Sequence, residues 1–263
     1  MTTITTTEDF VLRKDVDGIC ELTLNRPRQY NALSMAMLEA MLIQLKEIEK
    51  SEHVKVVIIS AAGKAFCPGH DLKEIRSQRN RAFGEALFAK CTEMMLKIRG
   101  LNQIVIAKVQ GVATAAGCQL VATCDLAIAA DHAKFATSGI NYGIYCSTPA
   151  VPLSRNIHPK KALEMLITGA FLSAKEAKEE GLVNRVVPAE ELDEAVLKMA
   201  TTIAGKGREA LTIGKRMFYE QLNMDLEDAY TYASEKIVCS ILSRDGEEGL
   251  NAFAEKRKPN WDK

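Results

Sequence analysis

The chain has 263 residues, 47% of them hydrophobic and 26% charged, and its 34 basic side chains balance its 34 acidic ones. This composition excludes collagen-like, coiled-coil and disordered chains, and the length is sufficient for a full hydrophobic core. Zero net charge argues against a nucleic-acid partner, which would need a basic face. The seven cysteines form no C-x-x-C pair, so neither a disulfide framework nor a zinc site is expected.

The first half of the chain predicts alternating strands and helices. Two apolar runs at 10–14 and 19–24 flank Asp17-Gly18, a dipeptide that favours a tight hairpin turn. Ser34 then suits the N-cap of a helix, and residues 54–60 (VKVVIIS) suit a strand buried on both faces. The alternation continues with the following predicted elements: a helix at 80–99, a strand at 104–109, a helix near 117–123 and a strand at 126–130. An α/β fold is therefore expected.

Beyond about residue 148 the pattern is almost entirely helical. Ser173 and Glu176 have the spacing of a capping box, and residues 183–187 could add one last strand. We predict a core over 1–200 and a helical C-terminal region over 201–263. A basic group in that region is assigned to solvent, namely Lys206, Arg208, Lys215 and Arg216.

Two loops have the composition of a ligand site. Residues 63–73 (GKAFCPGHDLK) follow a buried strand and precede a helix, and Asp71 is placed to cap that helix. Residues 111–120 (GVATAAGCQL) repeat the arrangement with small side chains, which let a ligand approach the unpaired N–H groups of a helix N-terminus. Each loop alone is a common strand-to-helix turn.

Together the loops resemble the crotonase family, the family of enoyl-CoA hydratase. The resemblance extends over most of the chain, through NRPRQYNAL (25–33), GKAFCPGHDLKEI (63–75), VQGVATAAGCQLVATCDLAIA (109–129), FATSGINYG (135–143), LITGAFLSAKEAKEEGLVNRVV (166–187) and GLNAFAEKRKP (249–259). It implies a spiral of ββα units, a helical C-terminal trimerisation region, assembly as a homotrimer or a dimer of trimers, and an acyl-CoA thioester as substrate.

The resemblance also assigns roles to individual residues. The backbone N–H groups of His70 and Ala116 would form an oxyanion hole for the thioester oxygen. The His70 side chain need not act as a base, and it would equally fit the role of a loop side chain that points away from the substrate. The coenzyme A channel would be lined by Ala65, Pro68, His70, Asp71, Leu72 and Lys73. Lys256 and Lys258 would meet the phosphates, or else form a solvated basic helix end. Coenzyme A is part of the substrate, so no separate cofactor and no metal are expected.

The chain departs from the family at both catalytic carboxylates. Gln119 and Gly139 stand where hydratases of this family have glutamates. A neutral amide can orient a water molecule but cannot exchange protons at pH 7. We therefore predict weak hydratase activity with retained thioester binding. The alternatives are a silent acyl-CoA-binding oligomer, a malonyl-type CoA decarboxylase that uses Tyr145, and a thioesterase with Cys146 as nucleophile.

The sequence start and hydropathy predict a location. The segment MTTITTTEDF has no basic, apolar signal region, and no stretch approaches the roughly 18 apolar residues of a membrane span. We expect a cytoplasmic protein without membrane partners, although a processed protein of the mitochondrial matrix would have the same features.

Overall fold

The computed structural model describes residues 10–261 and contains two β-sheets surrounded by helices. The strands are β1 (Val11–Val16), β2 (Ile19–Leu24), β3 (Val56–Ala61), β4 (Ala65–Cys67), β5 (Ile104–Val109), β6 (Val112–Thr114), β7 (Leu126–Ala130), β8 (Lys134–Ala136), β9 (Leu172–Ser173) and β10 (Arg185–Val187). The helices are α1 (Met35–Lys50), α2 (Leu72–Ser77), α3 (Arg81–Gly100), α4 (Ala116–Thr123), α5 (Ser147–Asn156), α6 (Pro159–Thr168), α7 (Ala174–Glu179), α8 (Leu192–Ala204), α9 (Arg208–Gln221), α10 (Leu226–Ile241) and α11 (Arg244–Ala254).

The first strands form the predicted hairpin. Val16 pairs with Ile19, so Asp17 and Gly18 alone make the turn, with φ angles of 49° and 77°. Two consecutive positive φ angles define a type I′ turn, whose twist matches that of the flanking strands. The Asp-Gly prediction is confirmed.

The larger sheet has the strand order β1-β2-β3-β5-β7-β10, and every pair except β1–β2 is parallel. The smaller sheet has the order β4-β6-β8-β9. The chain passes from a strand of the large sheet to one of the small sheet and then into a helix, three times in succession: β3-β4-α2, β5-β6-α4 and β7-β8-α5. This is the ββα repeat expected from the resemblance, and the α/β prediction is confirmed. The strands of the smaller sheet were not predicted, because a segment of two or three residues is too short to show the alternation of apolar and polar side chains that indicates a strand.

Apolar side chains fill both faces of the large sheet. On one face, α1 and α3 pack over the main core. On the other, α8 places Leu192, Val196 and Ala200 against Ile58, Ile106 and other strand residues. Because the parallel strands are covered on both sides, they read as continuous apolar runs. Helix α8 crosses residue 200, where the boundary between the core and the C-terminal region was predicted. The division of the chain into these two regions stays a prediction.

The C-terminal helices are joined to the core by a buried ion pair. Lys215 on α9 lies 2.7 Å from the carboxylate of Asp125, and the two side chains are only 3% and 8% exposed. Lys215 also donates to the carbonyl oxygen of Gln103 at 2.8 Å. Burial lowers the pKa of Lys215, and the charge of Asp125 opposes that shift. The assignment of Lys215 to solvent was therefore wrong, because its partner lies 90 residues earlier in the chain.

The helices after α8 leave much apolar surface uncovered in a single chain. Exposed side chains on α10 include Leu226, Tyr230, Ile237 and Ile241. Within residues 10–261, no helix has both the length and the apolar character that crossing a bilayer requires.

Candidate active site

The first loop lies between β4 and α2. The side chain of Asp71 accepts hydrogen bonds from the backbone N–H groups of Lys73, at 3.1 Å, and Glu74, at 3.3 Å. Asp71 therefore caps α2 as predicted. Its second carboxylate oxygen lies 3.6 Å from the guanidinium of Arg26, and this ion pair ties the loop to the segment 25–33.

The segment 25–33 forms hydrogen bonds that hold this loop in place. Asn31 is fully buried at a φ of 65°, and its amide nitrogen donates to the carbonyl oxygens of Ala62, at 2.8 Å, and Ala65, at 3.0 Å. In the sequence this segment contributed only to the family resemblance. Its supporting role was missed, although a short polar residue beside a proline turn is a weak signal of such a bend.

The backbone of Leu33 fixes the direction of the His70 amide. Leu33 donates to the carbonyl oxygen of Gly69 at 2.8 Å and accepts from the N–H of Asp71 at 3.3 Å. In a trans peptide the carbonyl of one residue and the N–H of the next point in opposite directions. Because the Gly69 carbonyl points to Leu33, the N–H of His70 points away from it, and no acceptor within residues 10–261 takes that hydrogen.

The second loop presents the amide of Ala116 at the start of α4. Ala115 has a φ of 48°, uncommon for a residue with a side chain, and its carbonyl oxygen accepts the first helical bond from Gln119 at 2.9 Å. The same peptide rule directs the Ala116 N–H outward from the helix start. It, too, has no acceptor in the described part of the chain.

The two loops are in direct contact. The hydroxyl of Thr114 donates to the carbonyl oxygen of Pro68 at 2.9 Å. A Cβ built on Gly69 would lie 3.1 Å from the nitrogen of Ala116. A Cβ on Gly117 would lie 2.0 Å from the carbonyl oxygen of Cys67. Glycine at these positions therefore lets the loops approach until the two outward amides are neighbours.

His70 and Ala116 both line a cavity of about 900 Å³. This volume is within the usual range for small-molecule sites. Its walls include eight residues assigned by the sequence, namely Pro68, His70, Asp71, Leu72, Lys73, Ala116, Gly139 and Tyr145. They also include Arg28, Tyr30, Phe88 and Cys146, which the sequence did not assign to binding.

Four assigned residues do not line this cavity. Ala65 lies in β4, where its carbonyl oxygen accepts the Asn31 amide. Lys256 and Lys258 follow the end of α11, outside the cavity walls. Gln119 lies one turn into α4 and is 4% exposed, and its side-chain oxygen has no hydrogen-bond partner among the described residues.

The surroundings of Gly139 leave no room for a side chain. A Cβ at this position would lie 2.6 Å from the carbonyl oxygen of Ile144 and 2.8 Å from the sulfur of Cys146. Burial raises the pKa of the Cys146 thiol, which therefore stays protonated near pH 7. Tyr145 is 46% exposed on the same wall.

The imidazole of His70 is held in place and lines the cavity. Its Nδ1 lies 3.1 Å from the carbonyl oxygen of Leu33, and its ring meets Phe88 edge-on, with centroids 5.0 Å apart. Burial lowers the pKa of His70, and the hydrogen bond to Leu33 opposes that shift. The side chain is thus neutral near pH 7, and it does not point away into solvent.

This lowered pKa predicts a pH-dependent stability. The unfolded chain binds a proton at His70 below about pH 6.5, whereas the folded chain resists protonation to lower pH. The contribution of His70 to the free energy of unfolding should therefore be fully present above that pH. It should fall as the pH drops below it, with a slope of up to about 1.4 kcal/mol per pH unit. Urea unfolding between pH 5 and 7 checks this. The slope should flatten in His70→Asn, and parallel profiles for the two proteins would contradict the prediction.

Comparison with known proteins gives the family. Residues 14–263 match the family model described as enoyl-CoA hydratase/isomerase. The rat protein named enoyl-CoA hydratase domain-containing protein 3, mitochondrial, is 47% identical over 245 residues, which are 93% of this chain and 82% of the rat protein. Its human counterpart is 46% identical over 248 residues, 94% of this chain and 82% of the human protein.

Solved structures agree with these sequence matches. An enoyl-CoA hydratase of Mycobacterium smegmatis superposes with a TM-score of 0.95 at 50% identity, covering 97% of this chain and 100% of that one. The human enoyl-CoA hydratase domain-containing protein 3 gives a TM-score of 0.94 at 45% identity, covering 96% and 100%. The chain therefore belongs to the enoyl-CoA hydratase/isomerase, or crotonase, family.

Proposed function

We propose that the protein is an acyl-CoA enzyme that stabilises a thioester enolate with the backbone N–H groups of His70 and Ala116. The observation that carries this proposal is the pair of neighbouring, outward-directed amides without protein acceptors at one cavity. When an acyl-CoA loses or gains a group at its α or β carbon, negative charge moves onto the thioester oxygen. Fixed N–H dipoles in a partly dry site stabilise that charge, by roughly 3 to 4 kcal/mol for each donor.

The same site lacks the acid and base of an ordinary hydratase. By family resemblance, Gln119 and Gly139 replace the two glutamates, and the packing around Gly139 leaves no space for a longer side chain. The Gln119 amide cannot transfer protons at pH 7. Its side-chain oxygen is unpaired among the described residues, but it does not line the cavity, so a role in orienting a water molecule or the substrate stays a prediction of the resemblance.

We expect crotonyl-CoA hydration to be slow. Each missing carboxylate costs roughly 100- to 10,000-fold in rate. Steady-state absorbance of the conjugated thioester measures this directly, and turnover at the level of an ordinary hydratase would refute the expectation. Gln119→Glu restores a carboxylate only at a buried position outside the cavity walls, so it should leave the rate low. Gly139→Glu would force apart the backbone at Ile144 and is unsuitable as a test.

Two other functions use the same cavity. A silent acyl-CoA-binding oligomer needs only the amides, and a malonyl-type CoA decarboxylase needs enolate stabilisation together with a group such as Tyr145 to hold the carboxylate. The protonated, buried Cys146 thiol disfavours a thioesterase. Mass spectrometry after incubation with enoyl-, hydroxyacyl- and malonyl-CoA distinguishes them. Any product rejects the silent binder for that substrate, and loss of carbon dioxide identifies a decarboxylase.

Charge and apolar surface suggest the partners. Arg28 and Lys73 on the cavity wall supply cations for the phosphates of coenzyme A, and Lys256 and Lys258 are further candidates. The apolar side chains exposed on α10 favour assembly of copies of the chain into a homotrimer or a dimer of trimers. Because the rat and human relatives are named mitochondrial, we propose the mitochondrial matrix as a location beside the cytoplasm.

A further inference from the structure

The His70 imidazole has one nitrogen that is paired and one that is not. Nδ1 lies 3.1 Å from the carbonyl oxygen of Leu33. A carbonyl oxygen only accepts hydrogen bonds, so Nδ1 must carry the proton. Because the ring is neutral, Nε2 presents a lone pair and can only accept.

That lone pair is buried without a donor. Nε2 is shielded from solvent, and no group within residues 10–261 donates to it. Buried polar atoms in folded proteins are nearly always paired, since an unpaired one costs folding free energy. His70 lines a ligand cavity, so a hydrogen-bond donor on the bound ligand is the simplest partner for its unpaired Nε2.

The imidazole borders the apolar part of the cavity. Its edge-on neighbour Phe88 also lines a second cavity of about 300 Å³, whose other walls include Ile75, Phe83 and Leu87. Phe88 and Ile75 belong to both cavities. An acyl chain that leaves the amides of His70 and Ala116 along apolar walls would therefore pass the imidazole.

We propose that the His70 side chain determines substrate specificity, with Nε2 accepting a hydrogen bond from a hydroxyl group on the acyl chain of the bound thioester. This inference rests on the proposed function, because the same residue's backbone amide holds the thioester oxygen. Phe88 contacts the imidazole edge-on and lines the same cavity, so the hydroxyl would approach Nε2 beside this ring. The preferred ligands are hydroxyacyl thioesters rather than their unsubstituted counterparts.

Calorimetric titration tests this with matched ligands. The probes are butyryl-CoA, both enantiomers of 3-hydroxybutyryl-CoA, and 4-hydroxybutyryl-CoA. We expect at least one hydroxylated ligand to bind roughly 5- to 150-fold more tightly than butyryl-CoA, the range for pairing a buried acceptor.

His70→Asn separates the two nitrogens of the imidazole. Asparagine keeps the backbone amide and a side-chain N–H directed toward Leu33, but it has no acceptor at the position of Nε2. The preference for the hydroxylated ligand should disappear, so that the variant binds this ligand and butyryl-CoA with equal affinity. His132→Asn, at an exposed histidine outside the cavity, is the matched control and should retain the preference.

A spectroscopic measurement on the unaltered protein serves if the variant does not fold. The chain has only four histidines, so the imidazole nitrogens can be assigned by ¹⁵N NMR. The Nε2 resonance of His70 should shift toward the hydrogen-bonded position with the hydroxylated ligand and not with butyryl-CoA.

The outcomes separate this inference from the proposed function. Equal affinities for all ligands in the wild type would overturn the inference and leave thioester binding intact. A preference that survives in His70→Asn would also overturn it, as would an equal loss of affinity for every ligand, which would assign the donor to coenzyme A itself. If none of the thioesters binds, the proposed function fails as well.

Discussion

Replacing Gly117 by alanine should destabilise the protein by about 3 kcal/mol or more and abolish thioester binding. The new Cβ would lie 2.0 Å from the carbonyl oxygen and 2.7 Å from the carbonyl carbon of Cys67. Both atoms are backbone, so no side-chain rotation relieves the overlap. The start of α4 must move away from the first loop, which separates the amides of Ala116 and His70.

Gly214→Ala is the matched control for this substitution. Gly214 also lies within a helix, α9, but apart from its own helix backbone no described atom lies within 4 Å of its would-be Cβ. Alanine should therefore stabilise the protein by about 0.5 to 1 kcal/mol, the helix-propensity difference. Urea unfolding and butyryl-CoA titration measure both variants. A Gly117→Ala protein with wild-type stability and affinity would show that the loops do not depend on their close contact.

Replacing Lys215 by methionine should cost about 3 to 5 kcal/mol of folding free energy. The substitution leaves the carboxylate of Asp125 buried without its cation, although the N–H of Val105 and the hydroxyl of Tyr219 still donate to it. Removing one member of a buried ion pair is costly because the remaining charge stays desolvated. The loss should fall mainly on the contact between α9 and the core.

Two variants control for this effect. Arg216→Met, at the adjacent exposed position, should change stability by less than about 0.5 kcal/mol. Lys215→Met combined with Asp125→Asn should recover part of the loss, because the uncompensated charge is gone. Unfolding is compared at one protein concentration, since assembly would shift apparent stability. If Lys215→Met lowers the free energy of unfolding by less than about 1 kcal/mol, the pair contributes no more than an exposed ion pair and the prediction is wrong.

Local chemistry made part of the fold predictable. The Asp17-Gly18 turn, the Ser34 cap and the capping box at Ser173 each depend on residues that are close in sequence, and all three are present. The Lys215–Asp125 pair depends on tertiary contact across 90 residues, which no periodicity reveals. A lysine in a basic helical segment is normally solvated, so the predicted environment of Lys215 was wrong.

The site was predictable in the same measure. The two loops could be found because glycine and small residues follow each strand and precede a helix. The support by Asn31 and Leu33 could not be found, because it consists of side-chain and backbone bonds to distant segments. The tautomer of His70 likewise depends on the Leu33 carbonyl, which only the folded chain brings near.

A crystal structure with butyryl-CoA bound is the decisive test of the proposed oxyanion hole. We expect the thioester oxygen to lie about 2.7 to 3.1 Å from the backbone nitrogens of both His70 and Ala116. A well-ordered ligand whose thioester oxygen contacts neither nitrogen would contradict it.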